Sequence, residues 1–129
     1  MKVALDGGTP ATLIAAGQYT PMAIATDGNN VYWAGSTIIS GSTVGSVQRI
    51  PVGGGTSTEM ASAKSATSMT IALDTTNVYW TNQYDSTVMT VPKDGGSATT
   101  LASKMFCGPV AIAVYGGDVC WVTSPNLPI

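Results

Sequence analysis

The sequence contains no histidine, and only 9% of its 129 residues are charged. Without histidine the chain cannot build a Ser-His-Asp or Cys-His catalytic arrangement, and the commonest metal ligand is missing. Five cationic residues are scattered along the chain and the net charge is −2. Binding to a nucleic-acid backbone needs clustered positive charge, and the sequence has no such cluster. No stretch approaches the roughly 18 apolar residues that a membrane-spanning helix needs. The composition therefore predicts no nucleic-acid partner, no membrane partner and no cofactor.

The N-terminus and the two cysteines say little about where the protein resides. The first residues lack the charged-then-apolar pattern of a signal peptide, so no leader is expected and the compartment stays open. Two cysteines are too few for a disulfide scaffold. A tight turn at Gly116-Gly117 would set Cys120 opposite Ala113 and leave Cys107 elsewhere, which predicts two free, partly buried thiols.

What the chain does contain is a short sequence motif that occurs three times. It reads Val31-Tyr32-Trp33, Val78-Tyr79-Trp80 and Val119-Cys120-Trp121, and the tryptophans are 47 and 41 residues apart. Three glycine pairs follow the same two steps: Gly7-Gly8, Gly54-Gly55 and Gly95-Gly96. A period of this length indicates one supersecondary unit repeated in series, each copy burying its apolar face on the next.

Each unit is predicted to contain four short antiparallel strands. In the second unit the strand-like segments are Met69–Leu73, Val78–Asn82, Thr87–Val91 and Ala98–Ala102. Turn residues separate them, and Asp94-Gly95 is typical of a tight hairpin turn. Four such strands in 41 to 47 residues are typical of one blade of a β-propeller, so the fold class is predicted to be all-β with three blades per chain.

With the strands of a blade named A to D from the inside outward, the chain is predicted to be a single half-propeller domain over residues 1–129. Its predicted parts are strands C and D of a shared blade in 1–16, a blade in 17–62, a blade in 63–103, and strands A and B of a shared blade in 104–129. In this order the blade shared between two chains is divided between its strands B and C.

Three blades alone cannot close around an axis, and they would expose apolar faces and unpaired strand edges. A homodimer would remove both problems if strands A and B of one protomer paired with strands C and D of the other, twice, around a two-fold axis. The expected assembly is therefore a six-bladed propeller closed by strand exchange. The alternative is that the chain is a fragment of a longer gene product.

The unit Pro-x-x-Ile-Ala-x-Asp-x-x-x-Val-Tyr-Trp resembles the YWTD-type repeat of six-bladed propellers such as those of low-density lipoprotein receptors. It is also similar to bacterial secreted or lipoprotein propellers of unassigned function. The resemblance implies the propeller fold and a binding scaffold more than any chemistry. Only Tyr79-Trp80-Thr81-Asn82 comes near the four-letter motif, with Asn82 where the family has Asp.

Most of the seven carboxylates fall at turn positions of the repeat, where Asp bonds its own backbone. Asp27 and Asp74 are also candidates for a weak cation site at one end of the channel, although no metal is predicted. The tryptophans recur at one phase in strand B, so Trp33, Trp80 and Trp121 are predicted to pack sheet against sheet rather than to bind sugars.

The candidate ligand-binding residues lie on the B–C and D–A connections, which in propellers emerge together around the channel mouth. The first blade is longer between Ala34 and Gly45 and carries Ile38 and Ile39 there. Aromatic residues in the predicted loops are the other signal. The full predicted set is Gln18, Tyr19, Ile38, Ile39, Lys64, Lys104 and Phe106.

The predicted function is a non-catalytic scaffold that binds a small molecule, a glycan or a peptide at this face, with a second copy of the chain as its other partner. Two alternatives stay open. One is a carbohydrate hydrolase or lyase that uses channel carboxylates such as Asp27 and Asp74. The other is a gene fragment without a defined function that still folds by dimerising.

Overall fold

The computed structural model describes residues 2, 4–5, 7–8, 20–64 and 69–125, with only the backbone of Lys64. Ten β-strands lie in these residues, and no helix among them is long and apolar enough to cross a membrane. The strands are β1 Thr20–Thr26, β2 Asn30–Ile39, β3 Ser42–Pro51, β4 Thr58–Lys64, β5 Ile71–Leu73, β6 Asn77–Asn82, β7 Thr87–Pro92, β8 Thr99–Ala102, β9 Pro109–Tyr115 and β10 Asp118–Thr123.

The strands form three antiparallel sheets that follow the chain. Sheet 1 has the order β1-β2-β3-β4, sheet 2 has the order β5-β6-β7-β8, and sheet 3 pairs β9 with β10. Strand β1 contacts β5, and β5 and β6 contact β9, so the sheets stack in sequence order. The predicted all-β class and the two four-stranded antiparallel sheets are confirmed.

One turn recurs between the third and fourth strands of the repeat. The N–H of Gly54 donates to the carbonyl of Pro51 over 2.9 Å, and the N–H of Gly95 donates to the carbonyl of Pro92 over 3.1 Å. The two glycines of each pair have positive φ angles, 102° and 133° for Gly95 and Gly96. Glycine reaches this region without steric cost, which explains why the pair recurs at this phase.

The core lies between sheets 1 and 2. Sheet 1 contributes Tyr32, Ala34 and Val47, which alternate with residues of its opposite face. Sheet 2 contributes Val78, Trp80 and Val91, and Met69 packs beside them just before β5. Strand alternation therefore explains why neighbouring residues of one strand serve different layers.

The prediction that all three tryptophans are core residues is confirmed for two and wrong for one. Trp33 and Trp80 are 7% and 2% exposed, whereas Trp121 is 37% exposed. Trp80 has a strand on each side of β6, with Ile71 and Met89 opposite it, while within the described residues Trp121 is paired only with Ile112. Sheet 3 has no third strand among the described residues, so the indole of Trp121 is covered on fewer sides.

The extra length between Ala34 and Gly45 is a longer hairpin, because β2 and β3 pair without a break up to Ile39 and Ser42. The prediction for the cysteines needs a correction. Cys120 does lie opposite Ala113, as predicted, and neither cysteine is bonded to the other. However, Cys120 is exposed rather than partly buried, since it belongs to the uncovered face of sheet 3.

Candidate functional site

The B–C turns and the chain entries into the next sheet share one end of the molecule, which we call the hairpin end. At this end the N–H of Thr81, near the end of β6, donates to the carbonyl of Thr70, and the N–H of Thr70, just before β5, donates to Oγ1 of Thr81. The N–H of Ser124, after β10, donates to the carbonyl of Gly108 over 3.1 Å. The connections predicted to surround a ligand therefore lie together.

A close backbone contact holds the entry to β9 against the β6–β7 turn. A Cβ atom on Gly108 would lie 2.5 Å from the carbonyl oxygen of Gln83. Contacts under about 3 Å are not tolerated by real Cβ atoms, so a glycine is needed where these two segments approach. The contact places the loop that carries Lys104 and Phe106 beside the turn that carries Tyr84.

Large apolar side chains stand out into solvent at the hairpin end. Phe106 is 89% exposed and Ile38 is 74% exposed, and Ile39 and Tyr84 are also exposed. Scattered single apolar residues are normal on a surface, whereas here several lie at one loop-bearing end. Lys104, with a positive φ of 56°, adds an exposed cation to the same end.

Four of the predicted ligand-binding residues have side chains in the described part of the structure, and all four lie at the hairpin end: Ile38, Ile39, Lys104 and Phe106. The backbone of Lys64 ends β4 there, opposite Val44, while its side chain lies outside the described residues, as do Gln18 and Tyr19. Sequence reasoning missed Tyr84 because it read this residue only as part of a turn.

Buried polar groups lie beneath this end. Asn82, which is 1% exposed, donates from Nδ2 to the carboxylate of Asp85 over 2.8 Å. Its Oδ1 atom is buried and has no hydrogen-bond partner among the residues that the structure describes. Asn82 occupies the position where the YWTD-type repeat has Asp. A carboxylate at this position would repel the carboxylate of Asp85, whereas the amide of Asn82 does not. The substitution therefore lets the β6–β7 turn be tied to its own strand.

The two carboxylates that were candidates for chemistry lie at the opposite end, in the A–B turns. Oδ1 of Asp27 accepts the backbone N–H groups of Asn29 and Asn30 at 3.0 and 2.9 Å. Its Oδ2 accepts the phenolic OH of Tyr32 and the ammonium of Lys93, each at 3.0 Å. The bonds to Asn29 and Asn30 confirm the predicted turn role of Asp27. The contact with Lys93 is one that the sequence did not predict.

Lys93 comes from the C–D turn of sheet 2 and crosses to sheet 1. Its ammonium lies 5.5 Å from the centre of the Tyr32 ring, and its carbonyl accepts the guanidinium of Arg49. The side chains of Lys93 and Asp27 are 11% and 22% exposed, so this ion pair is shielded more than an ordinary surface pair. The cluster joins the two sheets at the end opposite the candidate site.

Asp74 repeats the turn without the cation. Its Oδ1 accepts the N–H groups of Thr76 and Asn77 at 2.7 and 2.6 Å, and its Oδ2 accepts the OH of Tyr79 at 2.6 Å. The described residues hold no cation contact to this carboxylate. Repeat position alone therefore specifies the Asp–Tyr bond, while the ion pair depends on Lys93.

Hydrogen bonding keeps both carboxylates ionised. Burial acts to raise the pKa of Asp27, but the Asn30 N–H, Lys93 and Tyr32 outweigh it and hold that pKa well below its usual value. Burial likewise opposes the hydrogen bonds from Tyr79, Thr76 and Asn77, which lower the pKa of Asp74 to about 2. A carboxyl held this acidic does not keep a proton to donate near neutral pH, so neither is suited to act as a general acid.

The same saturation argues against a cation site. In each carboxylate both oxygens already accept hydrogen bonds from the chain. Within the part of the chain that the structure describes, no group of three or more Cys, Asp or Glu side chains is placed to hold a metal ion. Asp27 and Asp74 therefore serve the turns.

Comparison with solved structures identifies the fold. The chain superposes on a chain of the crystal structure of the nidogen/laminin complex, a YWTD β-propeller, with a TM-score of 0.72 and 16% sequence identity. The match covers 94% of this chain and 46% of that chain, so this chain spans less than half of the matched protein's length. No protein-family model matches, and no curated protein matches. The fold is thus that of YWTD-like propeller blades.

Proposed function

We propose that this protein is a binding scaffold that presents the hairpin end to a peptide segment of another protein. The observation that carries the proposal is the set of exposed apolar side chains there, above all Phe106 and Ile38. Exposed aromatic and branched aliphatic side chains on a rigid sheet framework lose little conformational entropy on binding, which suits them as anchors. Lys104 favours a ligand that also carries a carboxylate.

Three further observations support a scaffold rather than an enzyme. The two carboxylates with lowered pKa are committed to turns at the far end of the sheets. The sequence holds no histidine. The nidogen/laminin structure shows that a propeller of this type takes part in a protein complex, and a peptide is the ligand class closest to that use.

The proposed working form is a six-bladed ring made of two chains. Ile24 on sheet 1, at one end of the stack of sheets, is 70% exposed. Sheet 3, at the other end of the stack, has an apolar groove. The groove is lined by Ala111, Ile112, Ala113, Cys120, Trp121 and Val122. A second copy would cover both faces at once around a two-fold axis.

The first experiment is the solution mass by light scattering on a size-exclusion column, where a species of twice 13.1 kDa is expected at micromolar concentration. A stable folded monomer would overturn the ring. The second experiment selects a phage-displayed library of random linear peptides on the immobilised protein. Enriched peptides should bind Phe106→Ala at least about 10-fold more weakly than the wild type, because anchor residues carry most of an interface's energy.

Leu101 provides the matched control, since it is an exposed apolar residue on β8 and outside the hairpin end. Leu101→Ala should keep the wild-type affinity for the same peptides. If no peptide is enriched, or if both variants bind alike, the hairpin end is not the binding surface.

A further inference from the structure

The N-terminal residues already have the geometry of a C–D turn. The N–H of Gly7 donates to the carbonyl of Ala4 over 3.0 Å, and the φ angles of Gly7 and Gly8 are 94° and 129°. The corresponding values for Gly54 and Gly55 in sheet 1 are 90° and 126°. Ala4, Pro51 and Pro92 therefore occupy one phase of the repeat, although Ala4 belongs to neither complete sheet.

The N-terminal residues also contact sheet 1 in the way that sheet 1 contacts sheet 2. Nζ of Lys2 donates to the carbonyl of Val52 over 3.1 Å. Arg49, which follows Lys2 by one period, donates in the same way to the carbonyl of Lys93. Lys2 thus stands where the third strand of a preceding blade would stand, with its own second strand missing from the described residues.

Strand β10 has the complementary deficiency. It is the second strand of its sheet by repeat phase, and within the described residues it pairs only with β9. In the complete sheets the second strand pairs with the third in one register, with Tyr32 opposite Arg49 and Asn30 opposite Pro51. Sheet 2 repeats it with Asn77 opposite Pro92.

Transferring this register to the incomplete elements defines a contact between two copies. We infer that β10 of one protomer pairs with the N-terminal residues of a second copy, with Cys120 opposite the partner's Lys2 and Asp118 opposite the partner's Ala4. The inference deepens the proposed six-bladed ring and depends on it. In this arrangement the partner's N-terminal residues lie beside β10 as its third strand, so β10 has no free edge.

A specific backbone bond follows from the same register. The N–H of Val52 donates to the carbonyl of Asn29 over 2.9 Å, and the N–H of Lys93 donates to that of Thr76 over 2.8 Å. The third position in this series joins the partner's Leu5 N–H to the carbonyl of Gly117. Leu5, now fully exposed, is then held over the β9–β10 turn.

Side-chain chemistry at the turns agrees with this arrangement. Asp27 meets Lys93 of the following sheet, and the third repeat has Tyr115 at the Asp27 position. The sheet that follows in the ring is sheet 1 of the partner, which carries Val52 at the Lys93 position. An exposed tyrosine thus replaces the acid at a junction where its neighbour is apolar rather than cationic.

Disulfide trapping tests the register. In a Cys107→Ser background, Lys2→Cys places a thiol opposite the native Cys120 of the other copy. Directly opposite residues of antiparallel strands have Cβ atoms about 4.5–5.5 Å apart, close to what a disulfide needs. Oxidation with copper phenanthroline at micromolar protein should give a dimer on a non-reducing gel, and Cys120→Ser added to this variant should abolish it.

A second pair guards against a variant that fails to fold. Ala4→Cys with Asp118→Cys, in a background of Cys107→Ser and Cys120→Ser, should also cross-link. Its matched control, Ala4→Cys with Val122→Cys, lies four residues out of register, roughly 13 Å along the strand, and should not. A dimer by light scattering that traps neither in-register pair, or traps the control equally, overturns the register and leaves the ring standing.

The outcomes separate the two proposals. A monomer by light scattering, with no trapped dimer, overturns both the ring and the register. A trapped dimer that enriches no peptide supports the register and removes only the proposed binding function.

Discussion

Trp80 and Trp121 occupy the same phase of the repeat, yet one is 2% exposed and the other 37%. Both have an isoleucine opposite them on the first strand of their sheet, Ile71 for Trp80 and Ile112 for Trp121. They differ in the third strand, which places Met89 beside Trp80 and has no counterpart beside Trp121 among the described residues. Position in the strand therefore specifies which face the indole takes, and the neighbouring strand decides how far it is buried.

The largest expected effect comes from removing the two indoles in turn. Trp80→Ala should lower the free energy of unfolding by about 3–5 kcal/mol, because it empties a packed core site. Trp121→Ala should cost less than half of this in the folded chain and should shift the mass toward a single chain. Urea unfolding together with light scattering measures both, and equal losses would show that Trp121 is as well packed as Trp80.

Two glycines provide the next contrast. Gly108→Ala should cost about 1–3 kcal/mol, because its new methyl group would overlap the Gln83 carbonyl and force the backbone to move. Gly53 has ordinary φ and nothing within 4 Å of an added Cβ, so Gly53→Ala should change stability by less than about 0.5 kcal/mol. Thermal unfolding compares them, and a tolerated Gly108→Ala would contradict the tight approach at the hairpin end.

The two Asp–Tyr turns predict a loss of stability in acid. A carboxyl whose folded pKa lies below its unfolded value stabilises the fold above the unfolded value and loses that contribution as the pH falls. For Asp74 the loss should run from about pH 4 to about pH 2 and amount to roughly 1–2 kcal/mol. Asp74→Asn should flatten this part of the curve of unfolding free energy against pH.

Lys93→Met distinguishes the two turns. Without the ammonium, the pKa of Asp27 should move back toward its usual value, so the acid-dependent loss should shrink in this variant. Lys104→Met, which removes an exposed cation at the other end, is the control and should leave the curve unchanged. Identical curves for the two variants would show that the Lys93–Asp27 pair does not couple to folding.

The smallest effect is expected at the candidate site. Phe106→Ala and Leu101→Ala should each alter the free energy of unfolding by less than about 0.5 kcal/mol, because the side chain of Phe106 is 89% exposed and that of Leu101 is 49% exposed. A larger loss for Phe106→Ala would mean that the phenyl group packs against the protein and is not free to contact a ligand.

Much of the strand pattern was predictable because the repeat gives three views of one unit. The predicted strands of the second unit match β6 and β7 within one residue at each end, and the register of Cys120 opposite Ala113 followed from one turn. The extra length at Ile38 and Ile39 was located from the sequence, but the added residues alone do not reveal how far the two strands continue pairing. The Lys93–Asp27 contact joins residues far apart in the chain, and nothing local to either residue signals it.

By itself the sequence determined the repeating unit, its all-β character and the alternation that sends Tyr32 and Trp33 to opposite faces of their sheet, because strand alternation and turn chemistry depend on neighbouring residues. Tertiary structure decided what covers each face: which tryptophan is buried, which carboxylate meets a cation and which apolar side chains remain in solvent. Those outcomes depend on contacts between sheets, and the residues that make these contacts are far apart in the sequence. Local sequence patterns therefore do not reveal them.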